Sequence, residues 1–293
     1  MAPKQYKSRI HLIAARKAPT IAILQRKRSK LFHVIAIDTA ALRITEGSWF
    51  RGKLYPMRCD VSFDGKFMVY LAMGASGKTW NGICQLPWLT TLIDAENTGT
   101  WFGGGYFASG RVLRTNGWQL TDTVSHQATV PFSHEAYKSR YGGEDLGVVY
   151  ERFERDGFTR LGENWGTERK LNTRKYQIEC VGDDGWSCRP SPKHPELSVR
   201  FVGYLAHGYT FSFSLNEHPD LLEGAQWATW DANANLWVAW PGVVSRFTLK
   251  DLRAGTPSFS LDLDRFEPPS TEAPPRKGPA RRWHPLSPVR RSR

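Results

Sequence analysis

The stretch Ala72-Met-Gly-Ala-Ser-Gly-Lys-Thr79 comes closest to a chemical motif, because it follows an apolar run and ends in Gly77-Lys78-Thr79. A phosphate-cradling loop needs glycines that expose backbone N–H groups and a lysine that reaches phosphate oxygens. Here Ala72 stands where the first glycine belongs. Gly82 and Pro87 then interrupt Trp80-Asn-Gly-Ile-Cys-Gln-Leu-Pro-Trp88, where a helix would have to point its dipole at the phosphates. The residues favour a polar loop between two strands.

Other chemistry-bearing residue types are present without the spacing that chemistry requires. The eight histidines, His11, His33, His126, His134, His194, His207, His218 and His284, include no pair at metal-binding helical spacing. His126 and His134 lie in Ser125–Arg140, a polar stretch expected to be a long loop or one short helix, and lack a third ligand, so no metal is expected. Cys59, Cys84, Cys180 and Cys188 match no zinc or redox spacing and read as buried thiols. The carboxylate pairs Glu144-Asp145 and Asp183-Asp184 sit at glycine-flanked turns, which turn chemistry explains. No nucleophile elbow frames Ser76. No catalytic residue and no cofactor is therefore expected.

Binding chemistry has better candidates. The chain holds 12 Trp, 15 Phe and 10 Tyr, most of which belong in a core, where each buries a large area. Trp80, Trp88, Trp101 and Trp118 fall in loop-like segments that could line a recognition face. Gly103 and Gly104, in the run Gly103-Gly-Gly105, let backbones approach closely, either at a bulge or crowded sheet edge or around a ligand.

The elements that must position these residues read as strands. Arg9–Ala15, Thr20–Leu24 and Leu31–Ile37 are β-rich runs, with Gln25-Arg-Lys-Arg-Ser-Lys30 as a polar hairpin tip between the last two. Leu146–Phe153, followed by the turn Arg155-Asp-Gly157, repeats the strand-and-turn beat. So does Trp227–Trp240, with its turn at Asp231–Asn235, before Val243–Leu249. Tyr209-Thr-Phe-Ser-Phe-Ser-Leu215 alternates apolar and polar residues, as a strand with one buried face does. Five strand groups emerge, near 8–45, 47–98, 100–162, 172–222 and 225–252.

Cys59-Asp-Val-Ser-Phe-Asp-Gly-Lys-Phe-Met-Val-Tyr-Leu-Ala72 resembles a blade of a TolB-type β-propeller, in which Ser-x-Asp-Gly-Lys forms a tight turn before an inner strand. Phe63 replaces the proline usual in that motif. The whole chain is similar to a group of uncharacterised bacterial proteins. The similarity rests on the N-terminal hairpin, Trp101-Phe-Gly-Gly-Gly-Tyr106, Trp227–Trp240 and Arg265-Phe-Glu-Pro268. It implies one continuous unit and no activity. The expected fold is all-β, a propeller-like array of about five antiparallel meanders over residues 1–266, with a β-sandwich as the alternative.

The net charge of +12 is carried by the ends: residues 1–37 contribute +9 and residues 267–293 contribute +5, leaving the body at −2. Arg26, Lys27, Arg28 and Lys30 and the C-terminal tail could thus make weak contact with an anionic surface or nucleic acid, while the near-neutral body weakens the case for a polyanion on the folded surface. The tail, 267–293, is Pro/Arg-rich, and its seven prolines and few apolar groups predict disorder. Without a visible signal peptide or an apolar run long enough to span a bilayer, a cytoplasmic location is expected. The leading functional expectation is a non-enzymatic binding or scaffold protein that presents loops to a protein partner. A hydrolase with a central-cavity site is the second, for which Asp145, Asp183 and Asp231 would have to share one cavity; nucleic-acid binding through the basic ends is the third.

Overall fold

The computed structural model of the chain describes residues 7–97, 99–118, 124–127, 129–142, 144–162, 168–172, 177–181, 185–205 and 208–269. The Pro/Arg-rich tail beyond residue 269 lies outside them. The fold is all-β and built on antiparallel sheets. No helix among the described residues is long and apolar enough to cross a membrane.

The chain begins with a meander of β1 (Arg9–Ala14), β2 (Thr20–Arg28), β3 (Leu31–Asp38) and β4 (Arg43–Leu54). The far end of β4 pairs instead with β6 (Phe67–Gly74), after the two-residue β5 (Asp60–Val61). β6 pairs antiparallel with β7 (Thr79–Gln85), and β7 with β8 (Thr91–Asn97). Next come β9 (Gly105–Phe107), β10 (Val112–Asn116), β11 (Val124–Gln127) and β12 (Ser133–Tyr137). β11 returns to β8, whereas β10 pairs with β9 and, in parallel, with β12. Ser125–Arg140, read as a loop or short helix, thus contains strands.

Helix α1 (Asp145–Arg155) follows, then β13 (Thr159–Arg160), β14 (Glu168–Asn172), β15 (Gln177–Val181), β16 (Gly185–Cys188), β17 (Leu197–Leu205) and β18 (Gly208–Leu215), which form a third sheet. The last sheet is the meander β19 (Trp227–Trp230), β20 (Leu236–Trp240), β21 (Val243–Phe247) and β22 (Phe259–Asp262), with the short helix α2 (Leu249–Ala254) between its last two strands. The five expected strand groups follow the chain order, but β4 joins the first two into one nine-stranded sheet, so hydrogen bonding defines four sheets.

The unbroken apolar runs of β1 to β3 have a direct cause: these strands divide two cores. Ile10, Leu12, Ile21, Ile23, Ile35 and Ile37 face one, shared with α1 and the last two sheets. Ile13, Ala22, Leu24, Phe32 and Val34 face the other, shared with β6 and β7. Side chains alternate across a strand, so a sheet buried on both faces must be apolar at every position. A third core, with Val69, Ile83, Phe107, Leu113 and Trp118, lies between the β6–β8 region and the β9–β10 pair.

Leu146–Phe153 is the start of α1 and not a strand. Leu146, Val149, Tyr150 and Phe153 recur at helical spacing and turn to the first core, a period that outweighs the β-branched Val148-Val149 pair. A buried ion cluster fixes this helix. Asp60, with 0% exposure, accepts hydrogen bonds from the Phe107 amide at 2.8 Å and from Arg155 Nη1 and Nη2, and lies 3.4 Å from Arg152 Nε. Arg155 Nη1 also donates to the Phe107 carbonyl at 2.9 Å, and Arg152 Nη1 to the Cys59 carbonyl at 2.9 Å. Burial opposes the charge on Arg155, yet Asp156 and Asp60 raise its pKa above the ordinary value.

The first and last sheets meet without a strand ladder among the described residues. The Gly242 amide donates to the Ser8 carbonyl at 3.0 Å, and Gln25 Nε2 donates to Ser8 Oγ at 2.8 Å and to the Leu263 carbonyl at 2.9 Å. The hairpin carrying the basic run is not a free polar tip. β2 extends to Arg28, Gln25 is buried, and Lys27 Nζ donates to the carbonyls of Asp264 and Phe266 and pairs with Glu267 at 2.6 Å; only Arg28, Ser29 and Lys30 are exposed.

Replacing Asp60 by Asn leaves two buried guanidiniums short of their counter-charge and is expected to cost about 3–5 kcal/mol. Urea denaturation checks this through a lowered midpoint at unchanged slope.

Candidate ligand cavity

A cavity of about 430 Å³ opens where the ends of the sheets converge. One wall comes from β1, β2, the start of β3 and the end of β4: Arg9, His11, Leu24, Arg26, Phe32 and Lys53. Arg9 and Arg26 are direct cross-strand partners in the β1–β2 register, so their guanidiniums are neighbours on the same wall. Burial and the charge of Arg26 lower the pKa of Arg9 from its ordinary value. Lys53 Nζ sits over the Tyr55 ring, 4.4 Å from its centroid.

The floor combines a turn and a helix start. The sequence Tyr55-Pro-Met-Arg58 makes a 3-10 turn with proline in its first positions, which places the buried Arg58 side chain inward. Arg58 Nε donates to Asp145 Oδ1 at 2.6 Å and its Nη1 to the Phe102 carbonyl at 3.1 Å. Asp145 is the first residue of α1 and Glu144 its N-cap, where carboxylates favour the helix dipole. Burial raises the Asp145 pKa against the pull of Arg58. Tyr209 donates its hydroxyl to Glu144, and burial together with that carboxylate raises the Tyr209 pKa. Both acids of the cavity are thus already engaged by side chains of this protein.

The opposite wall is aromatic and comes from β17, β18 and β19. Tyr204 meets Tyr209 edge-on at 5.4 Å, and Phe211 meets Trp227 at 5.9 Å. Trp227 in turn lies 3.9 Å from the His11 ring, so the aromatic wall meets the β1 wall there. Burial, then Arg152 and Arg9, hold the His11 pKa well below its ordinary value, so the ring is neutral. Its Nε2 has no hydrogen-bond partner among the described residues.

The residues singled out from sequence are scattered around this site. Trp80 lies in β7, partly buried against the second core, with its ring edge-on to Phe50 at 5.9 Å. Trp118 is 2% exposed and donates Nε1 to the Gly104 carbonyl at 2.7 Å, so it is a core residue and cannot line a recognition face. Trp88 is half-buried. Trp101 is 63% exposed and follows Thr100, which lines the cavity. Gly103 and Gly104 are buried with φ of +116° and +75°, and a Cβ at Gly104 would lie 2.1 Å from the Arg58 carbonyl. Close backbone approach, not ligand contact, explains that glycine. Gly74–Lys78 is the turn closing the β6–β7 hairpin, with no helix behind it.

Of the carboxylates that a hydrolase would gather, Asp145 lines the cavity; Asp231 instead accepts the Asn233 and Asn235 amides at 2.8 and 2.9 Å within its own turn. Asp183 lies outside the described residues, as do the side chains of His126 and Cys180. Arg28 and Lys30 are exposed, whereas Arg26 belongs to the cavity. No group of three metal-ligating side chains is found among the described residues. Sequence reasoning passed over Arg9, Arg58, Tyr209 and Trp227. Arg58 stands between Met57 and Cys59, and nothing in that local pattern marks a buried charge.

No family model and no curated protein matches the chain. A solved structure of an uncharacterized protein from Listeria monocytogenes EGD-e is similar at 10% identity and a TM-score of 0.33, covering 87% of this chain and 94% of the other.

A second buried histidine gives a measurable pH response. His33, stacked on Trp49 at 4.1 Å, has its pKa lowered to about 4 by burial and by Lys27. Its neutral form is favoured by folding, so its contribution is complete above about 6.5, the unfolded value, and is lost as pH falls toward about 4. Thermal midpoints of His33→Phe are expected to fall less steeply than those of the unaltered protein across that window.

Proposed function

We propose that this chain is a non-enzymatic binding protein, a propeller-like ring of β meanders whose central cavity takes a small oxyanion. The first sheet shares one core with the last two sheets and another with the β9–β10 pair, and it is joined to the last by hydrogen bonds at Ser8, Gln25 and Gly242, which supports the ring-like reading.

The observation that carries the ligand reading is the Arg9–Arg26 pair. The two side chains line the same cavity from paired strand positions, and burial, then the charge of Arg26, lower the pKa of Arg9. An oxyanion placed between the two guanidiniums would accept charge-assisted hydrogen bonds from both. Asp145 is engaged by Arg58 and Glu144 by Tyr209. Lys53 adds a third cation to the same wall. The engaged acids argue against a hydrolase, and the half-buried position of Arg9 and Arg26 among cavity-lining side chains argues against a surface for nucleic acid.

Inorganic phosphate, added at constant ionic strength, is expected to raise the thermal midpoint of the full chain, as any ligand that binds only the folded state does. Arg26→Gln, at a half-buried site, should lower phosphate affinity about tenfold, the loss typical of one charge-assisted contact. A midpoint no higher in phosphate than in chloride would overturn the proposal.

A further inference from the structure

Outside the cavity, a second set of cations stands exposed at the tip of the β2–β3 hairpin and on the strand beside it: Arg28, Lys30 and Arg51. In the strand register Arg28 is the partner of Leu31, and Leu31 the partner of Arg51. Side chains directly opposite one another share a face of the sheet. The next pair on that face is His33 and Trp49, whose rings stack at 4.1 Å. Trp49 stays half-buried, two residues from Arg51 on the same side of β4.

The segment after β22 is laid on this face. Phe266 meets the His33 ring edge-on at 5.7 Å, and the exposed Arg265 lies over the Phe266 ring, 4.9 Å from its centroid. Lys27 Nζ pairs with Glu267 at 2.6 Å, and Ser8 Oγ donates to Asp264. The fold therefore joins two stretches that the sequence holds far apart, residues 1–37 with a charge of +9 and residues 267–293 with +5. Residues 270–293, with seven Lys/Arg against Glu272, continue from this same face. The acids of the junction are engaged: Asp264 by Ser8, Glu267 by Lys27, and Asp262 by the Asp264 amide at 2.9 Å. No carboxylate pairs with Arg28, Lys30 or Arg51 among the described residues.

We propose that this face binds single-stranded nucleic acid without choice of sequence. Arg28, Lys30, Arg51 and Arg265 contact successive phosphates, a base stacks on Trp49, and the arginines of 270–293 extend the contact along the strand. Cations that track a backbone beside an aromatic platform are what such binding requires, and guanidiniums donate to phosphate in pairs of hydrogen bonds. A duplex hides the faces of its bases and would leave Trp49 unused. An anionic membrane favours apolar side chains that enter the interface. The large apolar side chains that stand exposed among the described residues, Trp101, Phe102, Leu161 and Tyr204, belong to other segments.

The test is fluorescence anisotropy of a labelled single strand of about 16 nucleotides, titrated with the full chain over a range of salt. Affinity is expected to fall as salt rises, with a log–log slope of about −0.7 for each phosphate contacted. Arg28→Gln combined with Arg51→Gln should weaken binding about tenfold at low salt and make the slope shallower by about 1.4, with the thermal midpoint unchanged. Trp49→Leu should also cost about tenfold but leave the slope as it was, because a stacked base releases no counterions. The same sequence as a duplex should bind more weakly. Undiminished binding by the double variant would place the contact in residues 270–293 alone and overturn the proposal. So would a duplex bound as tightly as the single strand, tighter binding to vesicles of anionic phospholipid, or no binding at all. None of these outcomes touches the oxyanion reading, since Arg28, Trp49 and Arg51 do not line the cavity.

Discussion

A carboxylate withdrawn from water must be surrounded by donors, and Asp60 is the residue on which this rule bears hardest. Its oxygens are met by one backbone amide and two guanidiniums, supplied by β9 and α1. The exchange of water for these partners is close to neutral in free energy, but loss of any one partner is costly. The cluster therefore specifies an arrangement more than it adds stability. It fixes the C-terminal half of α1 against β5 and β9. Because α1 is a rigid rod of 11 residues, that anchor also sets where its first turn lies. Glu144 and Asp145 reach the cavity floor as a result, and the Arg58 and Tyr209 contacts complete the helix at its other end.

The cavity follows from the same economy of layers. β1 and β2 are buried on both faces along most of their length and become polar only where they leave the cores. Arg9 and Arg26 occupy those ends. The facing wall is drawn from strands some two hundred residues away, where Tyr209 and Phe211 alternate with Thr210 and Ser212 on β18. Cationic and aromatic surfaces therefore face each other because two differently patterned strand groups end at the same place. Neither group encloses a site by itself.

Much of the architecture was legible in the sequence because strand and turn signals are local. The hairpin of β1 to β3, the Asp64-Gly65 turn, with Gly65 at φ +73°, and the one-faced strand over Tyr209–Leu215 all follow from residue patterns. The reading failed where two periods overlapped. Leu146–Phe153 carries β-branched residues in a helical frame, and the apolar period prevailed. It also failed where a polar stretch hid strands, as at Ser133–Tyr137, whose partner Val112–Asn116 is parallel and reached across the intervening β11. The cavity was almost illegible. Of the residues named in advance for binding, Trp118 and Gly104 serve packing, and Trp101 is the chain neighbour of the cavity-lining Thr100. A site assembled from Arg9, Arg58, Glu144 and Tyr209 has no local signature, since each is separated from the next by tens of residues.

The junction at Ser8 bears on how the molecule comes into being. Ser8 Oγ donates to the Asp264 carboxylate across a separation of 256 residues, and Gln25 reaches Leu263 across 238. Closing so long a loop adds only slowly growing entropy, but it delays the reward of contact. Forming the first meander and joining it to the last are therefore separate events, the second resting on contacts between residues more than two hundred positions apart.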